Sequence, residues 1–366
     1  MLVLVGTYTE PILFGTGKIL QGKGEGIYAC RFDESSGALE PIGATTGVAN
    51  PSYLALDASE RFLYAVNELK SWEGKPTGTV SAFAVDPRTG ALRFLNRQIT
   101  HGTDPCHVAV DAKRRHVVVS NFMSGSVCVL PVRDDGSLAK ACDVVQHEGS
   151  SVDPRRQSGP HAHSATLDPS ERFVFVPDLG LDKLMLYRFD PAEGKLTPNA
   201  VTSIGFAPGA GPRHLALHPG GRFAYLVNEL DSTVAALSWD DARGTFAELQ
   251  TLSTLPEGFR GESTCADIHV HRSGRVLYTS NRGHDSIAIH AIDPHLGTLS
   301  GARHQTTGGR TPRSFAIDPS GRFLVVANQD SDSVTSFAVD PRTGDLRPTG
   351  STARVPTPVC VTFLAR

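Results

Sequence analysis

The sequence has no excess charge of either sign, no long apolar run and no cysteine pairing motif. Its 366 residues carry 35 Lys and Arg against 38 Asp and Glu, so the overall field does not attract a polyanion and we expect no nucleic acid partner. No apolar stretch approaches the length of a membrane span, and we expect no membrane association. The six cysteines are scattered without a Cys-x-x-Cys pair, which favours free thiols over a disulfide framework.

The first residues also lack the features of a signal peptide. The stretch MLVLVGTYTEP contains no basic segment, no long apolar segment and no small-residue cleavage site. Together with the scattered cysteines, this predicts a cytoplasmic protein.

Helical periodicity is missing as well, and in its place the chain carries a repeat of roughly 50 residues. Related segments are PSYLALDASERFLYAVNE from residue 51, PRHLALHPGGRFAYLVNE from residue 212 and PRSFAIDPSGRFLVVANQ from residue 312. Each repeat contains four short strands of alternating pattern joined by tight turns. The repeated arginines and the asparagines that follow them are interpreted as structural, the asparagines capping strand ends.

Six repeats are complete, and the two ends of the chain supply a seventh. MLVLVGTYT aligns with a second strand, GIYACRFDESSGALEPI supplies a third and a fourth, and the C-terminal PVCVTFLAR aligns with a first strand. The sequence therefore predicts an all-β fold, a seven-bladed β-propeller of four-stranded antiparallel blades. Residues 1–366 are expected to form a single domain whose ring closes by pairing of the N- and C-terminal strands.

In such a ring the start of each first strand and the end of each second strand lie at the same face. The starts of the first strands carry Ser52, His107, His163, Arg213, Asp267 and Arg313. The ends of the second strands carry Glu68, Asp178, Glu229, Arg282 and Gln329. Because isolated buried ions are costly, we interpret this convergence as a ligand site. The longest connections, residues 9–26, 69–78, 147–161 and 253–265, fall at the same face and mark it as the binding face.

These residues resemble the seven-bladed propeller lactonases, a family that includes propeller-type 6-phosphogluconolactonases and fungal carboxy-cis,cis-muconate cyclases. The resemblance spans the chain and lies in GTYT from residue 6, HSA from 163, GPRHLALHP from 211, VNEL from 227, ADIHV from 266, SNRGHDSI from 280 and PRSFAIDPSGRFL from 312. It implies a lactonase, a carboxylic ester hydrolase, whose catalytic residues are His163, Glu229, Arg213 and Arg282.

The chemistry expected of these four residues is hydrolysis by an activated water. A neutral His163 would accept the proton of the water as general base. Arg213 and Arg282 would stabilise the oxyanion or bind a carboxylate or phosphate of the substrate. Glu229 would orient His163, pair with an arginine or act as the acid or base itself. The alternative is that His163 is only a hydrogen-bonded channel residue and that the arginines pair with Glu229 or Asp267 for structural reasons.

The remaining polar residues at this face are expected to bind substrate: Arg313, Asp267, His161, His107, Glu68 and Gln329. We expect no metal, because an arginine-rich cluster repels a cation, and no cofactor. The glycine-rich stretch GTGKILQGKGEG, residues 15–26, lacks the phosphate-loop pattern. It is interpreted as a connection over the site, where Lys18 or Lys23 would contact an anionic substrate.

Three functions remain open at this point. The first is hydrolysis of a sugar-acid lactone, either 6-phosphogluconolactone or a related aldonate or uronate lactone. The second is a muconate-type cycloisomerase, and the third is a non-catalytic propeller scaffold. The expected partner is a small anionic lactone, and the expected assembly is a monomer or a small homo-oligomer.

Overall fold

A computed structural model describes residues 1–365 of the chain, and its regular structure is almost entirely β-strand. One short 3₁₀ helix covers Gln329–Ser331. In chain order, the strands are β1 (Leu2–Thr7), β2 (Ile12–Leu13), β3 (Ile19–Leu20), β4 (Gly26–Phe32), β5 (Leu39–Thr46), β6 (Leu54–Leu56), β7 (Phe62–Asn67), β8 (Thr79–Val85), β9 (Leu92–Ile99), β10 (Pro105–Val110), β11 (His116–Asn121), β12 (Ser126–Pro131), β13 (Asp143–Gln146), β14 (Thr166–Leu167), β15 (Phe173–Asp178), β16 (Lys183–Asp190), β17 (Lys195–Gly205), β18 (Pro212–Leu217), β19 (Phe223–Asn228), β20 (Thr233–Asp240), β21 (Thr245–Ser253), β22 (Thr264–Val270), β23 (Val276–Arg282), β24 (Ser286–Ala291), β25 (Arg303–Thr306), β26 (Pro312–Ile317), β27 (Phe323–Asn328), β28 (Ser333–Val339), β29 (Leu346–Arg354) and β30 (Pro358–Leu364).

The strands form seven four-stranded antiparallel sheets. Six sheets use consecutive strands and are named here blade 1 (β6–β9), blade 2 (β10–β13), blade 3 (β14–β17), blade 4 (β18–β21), blade 5 (β22–β25) and blade 6 (β26–β29). The seventh, the closure blade, has the order β30-β1-β4-β5, and β2 and β3 form a separate hairpin between β1 and β4. The predicted all-β, seven-bladed propeller is confirmed.

The two ends of the chain close the ring. Strand β30 is the innermost strand of the closure blade and pairs antiparallel with β1, from Leu2 opposite Leu364 to Thr7 opposite Pro358. Strand β1 also pairs with β4 on its other side. The predicted closure by N- and C-terminal strands is therefore confirmed, and the first and last strands belong to one sheet.

The hydrophobic core is divided into seven clusters, one between each pair of neighbouring blades. Between blade 6 and the closure blade, the ring of Phe32 meets Phe323 and Phe363 edge to face, with centroids 5.5 and 5.2 Å apart. Because each sheet is covered on both faces, its second strand is buried along its length, and all six residues are buried in β7, β11, β15, β19 and β27. Burial of this surface holds the blades at fixed positions around the axis.

The repeated asparagines and arginines make hydrogen bonds that connect neighbouring segments of the blades. Asn67 at the end of β7 donates to the carbonyl of Ala49 at 2.7 Å and accepts from the hydroxyl of Ser81 at 2.7 Å. Arg222 reaches out of its own blade and donates to the carbonyl of Pro294 in blade 5 at 2.7 Å. These contacts support the structural interpretation of both series.

The structure also bears on two expectations from composition. All six cysteines are free thiols, and Cys142 alone among them is exposed. Across residues 1–365, no helix has the length and apolar character needed to cross a membrane.

The closure strand β1 contains a residue that tolerates no side chain. A Cβ atom at Gly6 would lie 2.2 Å from the carbonyl oxygen of Pro51, so Gly6→Ala must push blade 1 away from the closure blade. We expect it to lower the free energy of unfolding by about 1–3 kcal/mol, as measured by urea denaturation. Gly43→Ala is the control, since no atom lies within 4 Å of its added Cβ. Equal stability of the two variants would contradict the expectation.

Candidate active site

A cavity of about 350 Å³ opens where the inner strands begin. Starts of inner strands, ends of second strands and three of the four long connections contribute to its wall, in agreement with the predicted binding face. Seven of the residues singled out from the sequence line it: His163, Arg213, Glu229, Arg282, Arg313, Glu68 and Gln329.

β-Bulges at the starts of the inner strands determine which side chains face this cavity. The pairing register shifts between Pro105 and His107 in β10, and again between Pro212 and His214 in β18. The same shift occurs at the start of β26. A bulge re-aims the extra residue, and the extra residues at these positions all line the cavity: Cys106, Arg213 and Arg313.

A buried carboxylate lies at the centre of the site. Arg213 Nη1 donates to Glu229 Oε2, Arg282 Nη2 lies 3.0 Å from the same oxygen, and Arg156 Nη2 donates to Oε1 at 2.6 Å. Burial raises the pKa of Glu229, but Arg282, Arg213 and Arg156 outweigh it and hold the pKa well below its usual range. Glu229 is therefore ionised, and three guanidinium groups meet one carboxylate.

His163 is held as a neutral imidazole. Arg213 Nη1 donates to His163 Nε2, and because a guanidinium has no acceptor, Nε2 must carry the lone pair and Nδ1 the proton. Burial lowers the pKa of His163 well below its usual value, and the positive charge of Arg213 lowers it further. On its other side, Nδ1 lies 3.8 Å from Cys106 Sγ. His163 therefore orients Arg213 and is not protonated at neutral pH.

Backbone carbonyls of blade 5 fix the two central arginines. Arg213 Nε donates to the carbonyl of Ala266 at 2.7 Å, and Arg282 Nη2 donates to that of Cys265 at 2.7 Å. Burial lowers the pKa of Arg282 to about 10, which leaves it cationic at neutral pH. These backbone hydrogen bonds set the orientation of both guanidinium groups before any ligand enters.

The opposite wall combines aromatic rings with a second carboxyl. The Arg313 guanidinium lies over the rings of Tyr8 and Phe14, at 5.5 Å from each centroid. The Tyr8 hydroxyl donates to Glu68 Oε2 at 3.0 Å. Burial raises the pKa of Glu68, and the charge of Arg313 opposes that shift. Gln329 donates to Asp330 Oδ1 at 2.8 Å.

Two residues predicted to bind substrate lie deeper in the channel, outside the wall of this cavity. His107 follows the bulge at Cys106 by one residue, and its ring packs against Tyr53 with centroids 4.2 Å apart. Asp267 Oδ1 lies 3.1 Å from His214 Nδ1. Both line a separate pocket toward the opposite mouth of the channel. The bulges are the physical reason, because one extra residue moves the next side chain to the other layer.

The structure also separates His161 from His163. The ring of His161 stacks on Phe122 with centroids 4.6 Å apart, and its Nδ1 lies 3.0 Å from the Phe122 carbonyl oxygen. His161 is not among the residues that line the cavity, whereas His163 is. Of the two lysines expected over the site, Lys18 lines the cavity and Lys23 pairs with Asp332 at 2.6 Å.

Sequence reasoning missed four charged residues of the wall: Arg156, Asp104, Glu262 and Asp330. Arg156 is placed by the connection between blades 2 and 3, which Gln157 anchors by donating to Asp182 Oδ1 at 2.8 Å. The sequence feature that could have identified Arg156 is the pair of adjacent arginines in a long connection at the binding face. Asp104 immediately precedes Pro105, and aligning the prolines of the repeats would have placed Asp104 at the binding face.

Within residues 1–365, no group of three or more His, Cys, Asp or Glu side chains is arranged to hold a metal ion.

The fold is thus a seven-bladed propeller whose cavity carries three arginines around one carboxylate. A sequence profile described as "Lactonase, 7-bladed beta-propeller" matches residues 2–363. The chain belongs to the seven-bladed β-propeller lactonase family. The expectation of a lactonase enzyme is confirmed at this level.

Individual relatives cover almost the whole chain. It is similar to a 6-phosphogluconolactonase of Bacillus subtilis, 39% identical over 360 residues that cover 98% of this chain and 97% of the relative. It is also similar to the solved periplasmic gluconolactonase of Pseudomonas aeruginosa, with 36% identity, a TM-score of 0.91 and coverage of 100% and 99%. A 6-phosphogluconolactonase of Formosa agariphila is 32% identical over 298 residues, covering 80% and 82%. The cytoplasmic location expected for this chain stays a prediction.

Neutralising the central carboxylate is expected to destabilise the fold. Glu229→Gln leaves the charges of one buried and two largely buried arginines uncompensated and should lower the free energy of unfolding by about 3–5 kcal/mol at pH 7. Because the folded pKa of Glu229 is depressed, its stabilising contribution is present above the unfolded pKa of about 4.3 and is lost as pH falls through the folded pKa. Urea denaturation at neutral and acidic pH measures the difference, which should shrink in acid.

The control for this experiment is Glu40→Gln. Glu40 pairs with Arg31 at 2.6 Å, but its side chain is 66% exposed, so its loss should change the free energy of unfolding by less than about 1 kcal/mol. A Glu229→Gln effect as small as that of the control would show that the buried carboxylate is not needed to hold the arginines.

Proposed function

We propose that the protein hydrolyses a sugar-acid lactone, with 6-phosphogluconolactone as the first substrate to test and related aldonate and uronate lactones next. The observation that carries this proposal is the arrangement of Arg213 and Arg282 around Glu229 at the wall of the cavity. The names of the similar proteins, a 6-phosphogluconolactonase and a gluconolactonase, support the same substrate class.

The arginines supply the electrostatic part of the reaction. Attack of water on a lactone carbonyl places negative charge on its oxygen, and donors oriented in advance stabilise that charge without reorganising. Arg213, Arg282 and Arg156 carry three positive charges against the one of Glu229. The surplus is available to the oxyanion and to the carboxylate or phosphate of the substrate, which a planar guanidinium binds through two parallel hydrogen bonds.

The role of His163 follows from its hydrogen bond to Arg213. A general base needs a free lone pair, and the Nε2 lone pair accepts from the Arg213 guanidinium. His163 therefore acts as base only in a state where the substrate has drawn Arg213 away from Nε2. With that bond in place, its role is to position Arg213 for the oxyanion.

The test is a substrate panel followed by pH-stat titration and ultraviolet absorbance. We expect acid release from 6-phosphogluconolactone, glucono-lactone or a uronate lactone, at a rate well above spontaneous hydrolysis. Ring closure of a muconate alone would identify a cycloisomerase and contradict the proposal. Turnover of no compound of either class would favour the scaffold interpretation.

Loss of one central arginine is expected to reduce the turnover rate strongly without unfolding the protein. Arg282→Ala should reduce kcat for the best lactone roughly 10²- to 10³-fold, as expected when one oxyanion donor is removed. The control is Arg31→Ala, whose guanidinium lies on the outer surface and is 63% exposed. Steady-state kinetics measure the effect, with circular dichroism to verify the fold. Equal kcat for both variants would exclude Arg282 from the reaction.

A further inference from the structure

Asp104 is a cavity residue with no role in the arginine cluster. It ends the connection between β9 and β10, lines the cavity and is 4% exposed. Its backbone is left-handed, with φ of 52°, a conformation that Asp adopts more readily than most residues. Its carboxyl group is thus an acidic group buried at the wall of the cavity.

The corresponding positions in other blades show what Asp104 does differently. In the closure blade and in blades 1 and 6, the residue before the proline of the inner strand also has a positive φ. There, the side chain makes a hydrogen bond of 2.7–2.9 Å to a neighbouring segment: Asn50 with Thr9, Thr311 with Asp330, and Thr357 with Tyr8. In contrast, Asp104 Oδ2 is buried and has no hydrogen-bond partner among the described residues.

The charged and titratable groups around Asp104 leave its carboxyl able to take and release a proton. Burial raises the pKa of Asp104 to about 7, the nearby Glu68 carboxylate raises it as well, and Lys70 opposes the shift. The thiol of Cys106, two residues further along the chain, is electrostatically coupled to Asp104 and itself stays protonated because burial raises its pKa.

Four other candidate bases of the wall have hydrogen-bond or ion-pair partners. Glu229 is neutralised by three arginines, and the His163 lone pair accepts from Arg213. Glu68 Oε2 accepts from the Tyr8 hydroxyl, and the residue lies in the field of Arg313. Asp330 also lines the cavity and accepts from Thr311 and Gln329, whereas Glu262 lines it with an exposed side chain. Within residues 1–365, Asp104 is therefore the buried acidic residue of this wall that has a carboxyl oxygen without a hydrogen-bond partner.

We propose that Asp104 is the general base that activates water for lactone hydrolysis in this cavity. The proposal rests on the lactonase function proposed above. As the water oxygen bonds to the carbonyl carbon, one proton of the water passes to Asp104. The electron pair of the carbonyl bond moves onto the carbonyl oxygen, where the arginines stabilise the charge. When the tetrahedral intermediate collapses, the bond from carbon to the ring oxygen breaks. Asp104 returns the proton to that oxygen, and the product is the open hydroxy acid.

The first test is the pH dependence of Asp104→Asn. Asn tolerates the left-handed backbone but does not accept a proton. A base acts in its deprotonated form, so wild-type kcat/KM should rise with pH through a midpoint near 7. In the variant, kcat/KM should fall roughly 10²- to 10⁴-fold and lose this rise. The control is Asp231→Asn, at a residue outside the cavity. The Asp231 carboxylate accepts from the Thr233 hydroxyl at 2.7 Å, and the amide oxygen of Asn can accept the same hydrogen bond.

A second variant separates proton transfer from a structural role. Asp104→Gly is compatible with the positive φ and leaves space for a small acid. Added formate should restore part of kcat/KM in this variant and not in Asp104→Asn, whose amide fills the space of the carboxylate. Restoration would support proton transfer by the missing carboxylate, which a role in packing alone does not predict.

The outcomes separate this inference from the proposed function. If Asp104→Asn keeps wild-type kcat/KM and its rise with pH while Arg282→Ala loses activity, the lactonase stands and Asp104 is not its base. If Asp104→Asn loses activity but keeps the rise with pH, and Asp104→Gly gains nothing from formate, the inference is also overturned. If the wild-type protein opens no lactone, the proposed function is wrong, and the role of Asp104 is wrong with it.

Discussion

The polar site depends on one buried ion cluster, in which Glu229 neutralises arginines that come from different parts of the ring. Arg213 belongs to blade 4, Arg282 to blade 5 and Arg156 to the connection between blades 2 and 3. Without the carboxylate, each guanidinium would be desolvated with no counter-charge, which is among the most costly arrangements in a protein interior. With it, the guanidinium groups are held charged and oriented at the cavity wall, and His163 is held neutral against Arg213.

That cluster is possible only because the blades are held rigidly around the axis. Each pair of neighbours shares an apolar cluster, and the closure blade joins the two ends of the chain. The β-bulges at the starts of the inner strands then place polar side chains in two layers. One layer faces the cavity, and the next, with His107, His214 and Asp267, faces the pocket toward the opposite mouth. A shift of one residue decides the layer to which a side chain belongs.

The repeat was sufficient to predict the architecture, because strand alternation, turn residues and blade length are local features. The position of Glu229 and Arg282 at this face could be predicted as well, since both lie at the ends of second strands. The catalytic roles of these two residues, of His163 and of Arg213 stay predictions. His107 was placed one layer away from where it lies because it was aligned with Arg213, although it is the second residue after its proline and Arg213 is the first. Asp267 was misplaced because it lies within the bulge of β22, between Cys265 and Ile268. Arg156 was missed because a connection has no periodicity from which its direction can be read.

The amino-acid sequence by itself determined the number of blades, the closure by terminal strands and the set of arginines and carboxylates at one face, since all of these follow from a repeating pattern. Only the tertiary structure decided which of those charges pair, which nitrogen of His163 accepts a hydrogen bond, and which carboxyl remains without a partner. The reason is physical: pairing, desolvation and proton affinity depend on distances between residues far apart in the chain, which exist only once the ring has closed.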